Sequence, residues 1–305
     1  MHILITGGTG LIGRRLCAVL LARGDQITVL SRRPQLVAGI CGATAQAISS
    51  LDEWTPTMHF DVVINLAGEP IIDARWTEKR RQVLLDSRVG LTRQLVEKIK
   101  QASRKPQVLL SGSAIGYYGI DDAQSFTEEA SAGNDFSASL CAQWELAAES
   151  AKSLGLRVVS LRTGLVLDED GGVLKKMRLP FQLGLGSQLG SGQQWMSWIH
   201  RQDYLRALLS LLDDTSANGA FNLTAPIAVT NAEFTKTLAK TLHRFALFVA
   251  PAFVLRLAMG ERSDLLLGGQ KVLPQRLLDQ HFHFEFPDLS SALANLLNAP
   301  NAKSS

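Results

Sequence analysis

The chain has 305 residues, of which 46 % are hydrophobic and 19 % charged, and its formal net charge is +3. These values are typical of a globular protein with one or two domains, and the scattered basic residues argue against nucleic-acid binding. Cys17, Cys41 and Cys141 have no paired spacing, which argues against a disulfide framework and predicts a reducing compartment, the cytoplasm. Because the strand pattern starts at residue 2, no signal peptide is predicted. No membrane span is predicted, and residues 245–259 are interpreted as a core or interface helix.

The first thirteen residues predict a nucleotide-binding turn. Residues 2–6 are apolar and typical of a buried strand, and residues 11–23 have apolar positions at helical spacing. Four glycines lie at the junction: Gly7, Gly8, Gly10 and Gly13. In this context Gly10 lets backbone approach a pyrophosphate, and Gly13 lets the helix pack on the strand. The alternative is a glycine-rich turn with a structural role only.

The second strand, residues 26–30, predicts which dinucleotide is bound. An acidic residue at its end would hold the free 2′-hydroxyl of NAD, but the chain has Ser31, Arg32 and Arg33 there. A hydroxyl and forked guanidinium groups suit a 2′-phosphate. The sequence therefore favours NADP, and the alternative is that the two arginines are solvated turn residues.

Strand and helix patterns alternate through residue 167 and predict an α/β fold. The expected architecture is a doubly wound parallel sheet with helices on both faces. Further strands are expected at 45–48, 61–68, 107–111 and 156–167, with helices at 76–100 and 134–154. Beyond them the sequence predicts a strand at 194–200, a helix at 203–212, a strand at 220–223 and a helix capped by Asn231.

The C-terminal third is expected to form a separate, smaller unit. We predict a nucleotide-binding domain over residues 1–230, with a substrate-side insertion at about 168–200, and a second domain over 231–305. His281 and His283 are expected on one face of a strand. No third ligand accompanies them, so no metal site is predicted.

Four motifs carry a resemblance to a known family: residues 6–13 (TGGTGLIG), 65–68 (NLAG), 111–119 (SGSAIGYYG) and 162–164 (RTG). The chain resembles the extended short-chain dehydrogenase/reductase family, the NAD(P)-dependent epimerase/dehydratase group. Longer motifs at 65–71, 141–145, 190–200 and 269–276 resemble its YfcH-like subgroup, which carries an extra C-terminal domain of unknown function. The resemblance implies a Rossmann core with a smaller C-terminal substrate-side lobe.

The resemblance also implies cofactor contacts. The glycine turn would hold the pyrophosphate, the end of the second strand the 2′-phosphate, and the 65–68 motif the adenine and ribose. Arg88 stands at the place of a helix Asn of the family. The family further implies a homodimer built on helices 76–100 and 134–154. The implied cofactor residues are Gly7, Thr9, Gly10, Leu11, Ile12, Gly13, Ser31, Arg32, Leu66, Ala67, Gly68 and Arg88.

The catalytic pair of the family is absent. Its chemistry uses a Tyr as acid or base, a Lys one helical turn later that lowers the Tyr pKa and holds the ribose, and a Ser that orients substrate. Ser113 matches the Ser, but Ser137 and Cys141 stand in the places of the Tyr and the Lys. Tyr117 and Tyr118 are the nearest candidate acids, and loop packing is their alternative role.

Other polar residues carry weaker expectations. Cys141 is interpreted as a small core residue and Glu145 as a helix-surface carboxylate. Trp195, Trp198 and His200 are candidates for a substrate pocket, with core packing as the alternative.

Two functions compete on this evidence. The first is an NADP(H)-dependent oxidoreductase or epimerase acting on a small hydroxyl or carbonyl compound, with sugar nucleotides included. The second is a non-catalytic NADP(H)-binding redox sensor or scaffold, which the absence of the Tyr/Lys pair motivates.

Overall fold

The computed structural model describes residues 1–298, and its elements follow a βα alternation as far as residue 167. The strands are β1 His2–Thr6, β2 Gln26–Leu30, β3 Gln46–Ile48, β4 Val62–Asn65, β5 Val108–Ala114, β6 Asp121–Phe126, β7 Arg157–Thr163, β8 Leu165–Leu167, β9 Ser187–Leu189, β10 Trp195–Met196, β11 Trp198–His200, β12 Gly219–Leu223, β13 Val229–Thr230, β14 Phe248–Ala250 and β15 Gln270–Val272. The helices are α1 Leu11–Ala22, α2 Val37–Cys41, α3 Glu78–Leu85, α4 Leu91–Gln101, α5 Phe136–Glu149, α6 Gly172–Gln182, α7 Arg201–Asp213, α8 Asn231–Thr241, α9 Ala252–Met259, α10 Asp264–Leu267, α11 Gln275–Asp279 and α12 Leu289–Asn298.

Seven strands form one parallel sheet in the order β12-β7-β5-β4-β1-β2-β3. The expected α/β, doubly wound Rossmann architecture is confirmed. The order reverses on either side of β1, so the carboxyl ends of β1, β2 and β4 meet beside the glycine turn. Ligands of such sheets bind in the crevice at this reversal.

The sheet is buried on both faces, as its continuous apolar strands require. Ile3 and Ile5 of β1 pack into the same cluster as Leu16 and Leu20 of α1. Leu4, which points to the other face, packs into the cluster of the α4 side. The alternation along one short strand therefore joins two hydrophobic layers and fixes the position of the turn that follows it.

Four predicted elements of the first half differ from the structure, and the first of them is the strand expected over 61–68, which ends at Asn65. The helix expected at 76–100 is interrupted by a π-helical turn over Asp86–Gly90. The strand expected to end at residue 111 continues to Ala114. The strand expected over 156–167 is two strands, because the backbone at Gly164 packs closely: a Cβ there would lie 2.6 Å from the Ser197 carbonyl oxygen.

The second half differs more. Thr230, not Asn231, caps α8, since its hydroxyl accepts from the Glu233 amide. The expected strand carrying His281 and His283 is wrong, because the chain turns there and His281 has φ of 55°. Residues 194–200 form two strands that pair with different partners.

Residues 245–259 do not form a core helix. They contain β14 and α9, and apolar side chains project outward, with Phe253 71 % and Leu257 81 % exposed. The core alternative is therefore wrong, while the interface alternative stays a prediction. Among residues 1–298, no helix is both long enough and apolar enough to cross a membrane.

Candidate cofactor and substrate site

The glycine turn places free backbone amides at the start of α1. Gly10 is the N-cap of α1, and no side chain within residues 1–298 caps this end. A Cβ at Gly13 would lie 2.2 Å from the Gly7 carbonyl oxygen, so the close packing of α1 on the turn requires glycine. Gly7 has φ of 70° and lies against the Leu66 backbone. Uncapped amides and the positive end of the helix dipole fit a pyrophosphate.

The end of β2 presents a cation at one side of this turn. Arg32 is 89 % exposed, and its Nη1 lies 3.0 Å from Oε1 of Glu69, which follows β4. The Ser31 hydroxyl accepts a hydrogen bond from the Arg33 amide at 3.1 Å. An exposed guanidinium beside a hydroxyl at this position fits the 2′-phosphate of NADP.

A second cation lies on the other side of the turn. Arg88 is in the π-helical turn, and its guanidinium donates to the Glu69 carbonyl oxygen at 3.0 Å. A Cβ at Gly68 would lie 3.0 Å from the Arg88 Cζ, so the guanidinium lies directly against the 65–68 segment. Burial lowers the pKa of Arg88. Since π-helical turns often mark functional positions, this irregularity in the helix supports a role for Arg88 in the site.

The expected substrate-orienting residue, Ser113, belongs to a buried polar cluster. Its hydroxyl donates to Oε1 of Glu145 at 2.6 Å. Arg162 donates to both carboxylate oxygens of Glu145, from Nε and Nη2, at 2.9 Å each. Ser113 and Arg162 are register partners on adjacent strands, and Glu145 reaches them from α5. The pairing with Glu145 raises the pKa of Arg162 despite its burial.

The two tyrosines after β5 differ in what their side chains do. Tyr118 is buried, with 3 % of the residue exposed. Its hydroxyl donates to Asn222 Oδ1 at 2.6 Å and accepts from Arg162 at 3.0 Å. Burial raises the pKa of Tyr118 to about 12. Tyr117 is half-buried, and its ring stacks on the Arg162 guanidinium with 3.5 Å between Cζ and the ring centre. The geometry thus favours Tyr117 as the tyrosine that can contact a ligand.

Ser137 and Cys141, which stand where the family has its catalytic Tyr and Lys, lie close to Gly116, next to Tyr117. A Cβ at Gly116 would lie 3.4 Å from the Ser137 Cβ and 3.9 Å from the Cys141 Sγ. Cys141 is 5 % exposed, and burial raises the pKa of its thiol to about 12. The thiol is therefore neutral at physiological pH and supplies no charge to the site.

Comparison with known proteins decides the family. The model of the "NAD dependent epimerase/dehydratase family" matches residues 3–224, and a "domain of unknown function (DUF1731)" matches residues 250–296. The chain belongs to the NAD-dependent epimerase/dehydratase family. An epimerase family protein of Staphylococcus saprophyticus is 40 % identical over 303 residues, which cover 97 % of this chain and 99 % of the relative.

Solved structures agree with this membership. The human epimerase family protein SDR39U1 (isoform 2), crystallised with NADPH, superposes with a TM-score of 0.88 at 34 % identity, covering 98 % of this chain and 100 % of that one. A nucleoside-diphosphate sugar epimerase from Corynebacterium glutamicum superposes with a TM-score of 0.76 at 28 % identity, covering 97 % of this chain and 58 % of that one.

The residues expected to line a substrate pocket differ in their burial in this epimerase-family chain. Trp198 and His200 are fully buried, and the His200 ring lies 3.9 Å from the Phe286 ring. Trp195 is half-buried and donates from its indole to the Asp122 carbonyl oxygen at 3.2 Å. Core packing, the alternative stated above, accounts for Trp198 and His200, whereas Trp195 remains open to a ligand.

Asp168, Glu169 and Asp170 come together after β8, close enough to share an ion. Arg15 of α1 donates to Asp168 from Nε at 2.6 Å, and Arg201 pairs with Glu169. Arg15 also pairs with Asp170, so ion pairs to all three carboxylates join α1 and α7 to the segment that follows β8.

In the buried polar cluster around Ser113, the roles of Glu145 and Arg162 were not identified from the sequence. Glu145 was expected on a helix surface, but it is 9 % exposed and paired with Arg162. The sequence signal was a carboxylate within an otherwise apolar helix stretch and an arginine within a buried strand. Each requires a partner of opposite charge, but their separation of 17 residues gives no spacing rule that joins them.

Proposed function

We propose that this epimerase-family chain binds NADP(H) and is an oxidoreductase or epimerase for a small hydroxyl or carbonyl substrate, sugar nucleotides included. One observation carries the proposal: the uncapped glycine turn, Arg32 and Ser113 all lie at the same edge of the sheet. A nucleotide held by the turn would extend over β4 and β5 toward Ser113. The NADPH in the human relative supports this choice of cofactor.

The nicotinamide would accept or donate a hydride. The chain's own residues would bind the nucleotide and orient the substrate. The amides of α1 hold the pyrophosphate, and Arg32 holds the 2′-phosphate. Ser113 orients the substrate oxygen, and the Tyr117 hydroxyl is the candidate for holding or releasing a proton. Tyr118 supports this loop through its bonds to Asn222 and Arg162.

A calorimetric titration with NADPH, NADP⁺, NADH and NAD⁺ tests the cofactor assignment. We expect the phosphorylated pair to bind more tightly, and Arg32→Ala to weaken NADPH by about tenfold with little change for NADH, since charge-assisted bonds to phosphate contribute about 1.5–3 kcal/mol. Arg93→Ala is the matched control, because it removes an exposed arginine of α4 that has no assigned role in binding the cofactor. Failure of all four nucleotides to bind would make the glycine turn structural and end the proposal.

The non-catalytic alternative rests on Cys141 and Ser137, which supply neither the acid nor the fixed charge of the usual pair. A sensor would change shape or partner binding between the two redox states of its ligand. Identical proteolysis patterns with NADP⁺ and NADPH would exclude the sensor. Oxidation of bound NADPH by any carbonyl compound of a broad panel would establish the enzyme.

The homodimer implied by the family stays part of the proposal. Leu146 on α5 is 68 % exposed, and it is the kind of side chain that pairing of α4 and α5 with a second copy would cover.

A further inference from the structure

The epimerase-family site has a cation without an acidic partner. The Arg88 guanidinium donates to the Glu69 carbonyl oxygen and, more weakly, to the Ser87 hydroxyl at 3.4 Å. The ion pairs formed among residues 1–298 include none to Arg88, since the Glu69 carboxylate faces Arg32 and Arg80 instead. A half-buried guanidinium pays a desolvation cost, which an acceptor from a bound ligand would offset.

The helix that should carry the ribose-binding cation has none. The α5 sequence, residues 136–149, contains no Lys or Arg, and its Cys141 is a neutral buried thiol. Arg88 approaches this helix from the other side of the crevice. Its Cζ lies 5.4 Å from the ring centre of Trp144, which is one turn beyond Cys141 on α5.

Arg32 and Arg88 both contact Glu69, but Arg32 pairs with its carboxylate, whereas Arg88 donates to its carbonyl oxygen and lies against Trp144 of α5. Arg32 follows β2, whereas Arg88 lies between the ends of β4 and α5, and β1 with the glycine turn separates β2 from β4. A dinucleotide with its pyrophosphate at α1 and its 2′-phosphate at Arg32 therefore directs its other half toward Arg88.

We infer that Arg88 binds the hydroxyls of the nicotinamide ribose, and that it supplies from the π-helical turn the cationic contact that α5 lacks. The inference rests on the proposed NADP(H) binding. Arg88 donates to the Glu69 carbonyl through Nη2, so Nε and the weakly bonded Nη1 remain as donors for ribose oxygens.

The test compares a whole cofactor with its adenosine half. Calorimetry measures the binding of NADP⁺ and of 2′,5′-ADP, which lacks the nicotinamide ribose, to the wild type, Arg88→Gln and Arg88→Lys. We expect Arg88→Gln to weaken NADP⁺ by about tenfold or more, to change 2′,5′-ADP by less than about twofold, and Arg88→Lys to recover most of the loss. Arg93→Gln, an exposed charge loss on α4, should change neither ligand.

Each other outcome has a definite meaning. Equal weakening of both ligands in a folded Arg88→Gln protein would place Arg88 on the adenosine half and overturn the inference, as would no weakening of either. Thermal melting distinguishes equal weakening from loss of the fold. If Arg88→Gln does not fold, Arg88→Lys takes its place: a smaller weakening confined to NADP⁺ is expected, and equal weakening of both ligands or no weakening would overturn the inference. Failure of the wild type to bind NADP⁺ would instead remove the proposed function itself.

Discussion

The Ser113 hydroxyl and the Glu145 carboxylate lie 2.6 Å apart inside the protein. Arg162 donates to both oxygens of that carboxylate. A carboxylate oxygen accepts hydrogen bonds, so the Ser113 proton points toward Glu145. In this arrangement the Ser113 oxygen accepts from a substrate hydroxyl, whereas a carbonyl substrate requires the Ser113 proton to turn from Glu145 toward the substrate oxygen.

This relationship gives a stability prediction. Arg162→Met leaves Glu145 as an unpaired buried carboxylate and should lower the free energy of unfolding by about 3–5 kcal/mol. Ser113→Ala removes a single hydrogen bond and should cost about 1 kcal/mol. Urea unfolding measures both.

A double-mutant cycle is the control for that prediction. Glu145→Gln combined with Arg162→Met should cost less than the sum of the two single changes, because the two side chains share one interaction. Strict additivity, or an Arg162→Met cost no larger than that of Ser113→Ala, would show that the pair contributes little.

The glycine turn gives a prediction about binding and packing together. Gly13→Ala forces a Cβ to within 2.2 Å of the Gly7 carbonyl oxygen, so α1 must shift away from the turn. We expect loss of NADPH binding by calorimetry and a destabilisation of about 1–3 kcal/mol in urea. Gly39→Ala is the matched control, since a Cβ at Gly39 meets nothing within 4 Å. Tight NADPH binding by Gly13→Ala would disprove the role of close packing at the turn.

Local patterns of the sequence predicted most of the sheet and the glycine turn. β1 and β2 begin and end where short apolar runs predicted them, because these strands are buried and bounded by turn residues. Side-chain pairing across the fold was not predictable in the same way. Glu145 and Arg162 come together only because α5 packs across β5 and β7, and single-sequence spacing carries no information about that contact.

In the C-terminal part, the sequence predicted burial that the structure does not have. Residues 245–259 are apolar enough to predict burial, yet Phe253 and Leu257 are exposed. Hydrophobicity alone does not distinguish a core segment from a surface that a partner would cover. Likewise, His281 and His283 have the alternation of a strand, but the positive φ of His281 places it in a turn.

The ion pair between Arg32 and Glu69 predicts competition with the 2′-phosphate. Glu69 Oε1 lies 3.0 Å from the guanidinium that we assign to that phosphate, so binding must displace it. An exposed pair contributes about 0.2–1 kcal/mol, and Glu69→Gln should therefore tighten NADPH by up to about fivefold while leaving NADH unchanged. Calorimetry measures both constants. Glu261→Gln, which removes the exposed partner of Arg81, is the control. Equal effects on NADPH and NADH would argue against competition at the 2′-phosphate.

His200 predicts a loss of stability in acid. Burial, together with the charge of Arg201, lowers the pKa of His200 from 6.5 to about 4. The unfolded chain therefore takes up a proton on this ring before the folded chain does as the pH falls. The contribution to stability is complete above pH 6.5 and is lost between pH 6.5 and 4, by about 3 kcal/mol in total.

Asp168 also has a lowered pKa and loses stabilising charge in acid, so the effect of His200 must be isolated by comparing variants. His200→Asn keeps an acceptor for the Gln202 amide at the start of α7 but removes the titrating ring. Urea unfolding at pH 7 and pH 4 should show a stability loss about 3 kcal/mol smaller in His200→Asn than in the wild type. His283→Asn, at an exposed position, should behave like the wild type. If His200→Asn loses as much stability as the wild type, the ring is not kept neutral by its burial.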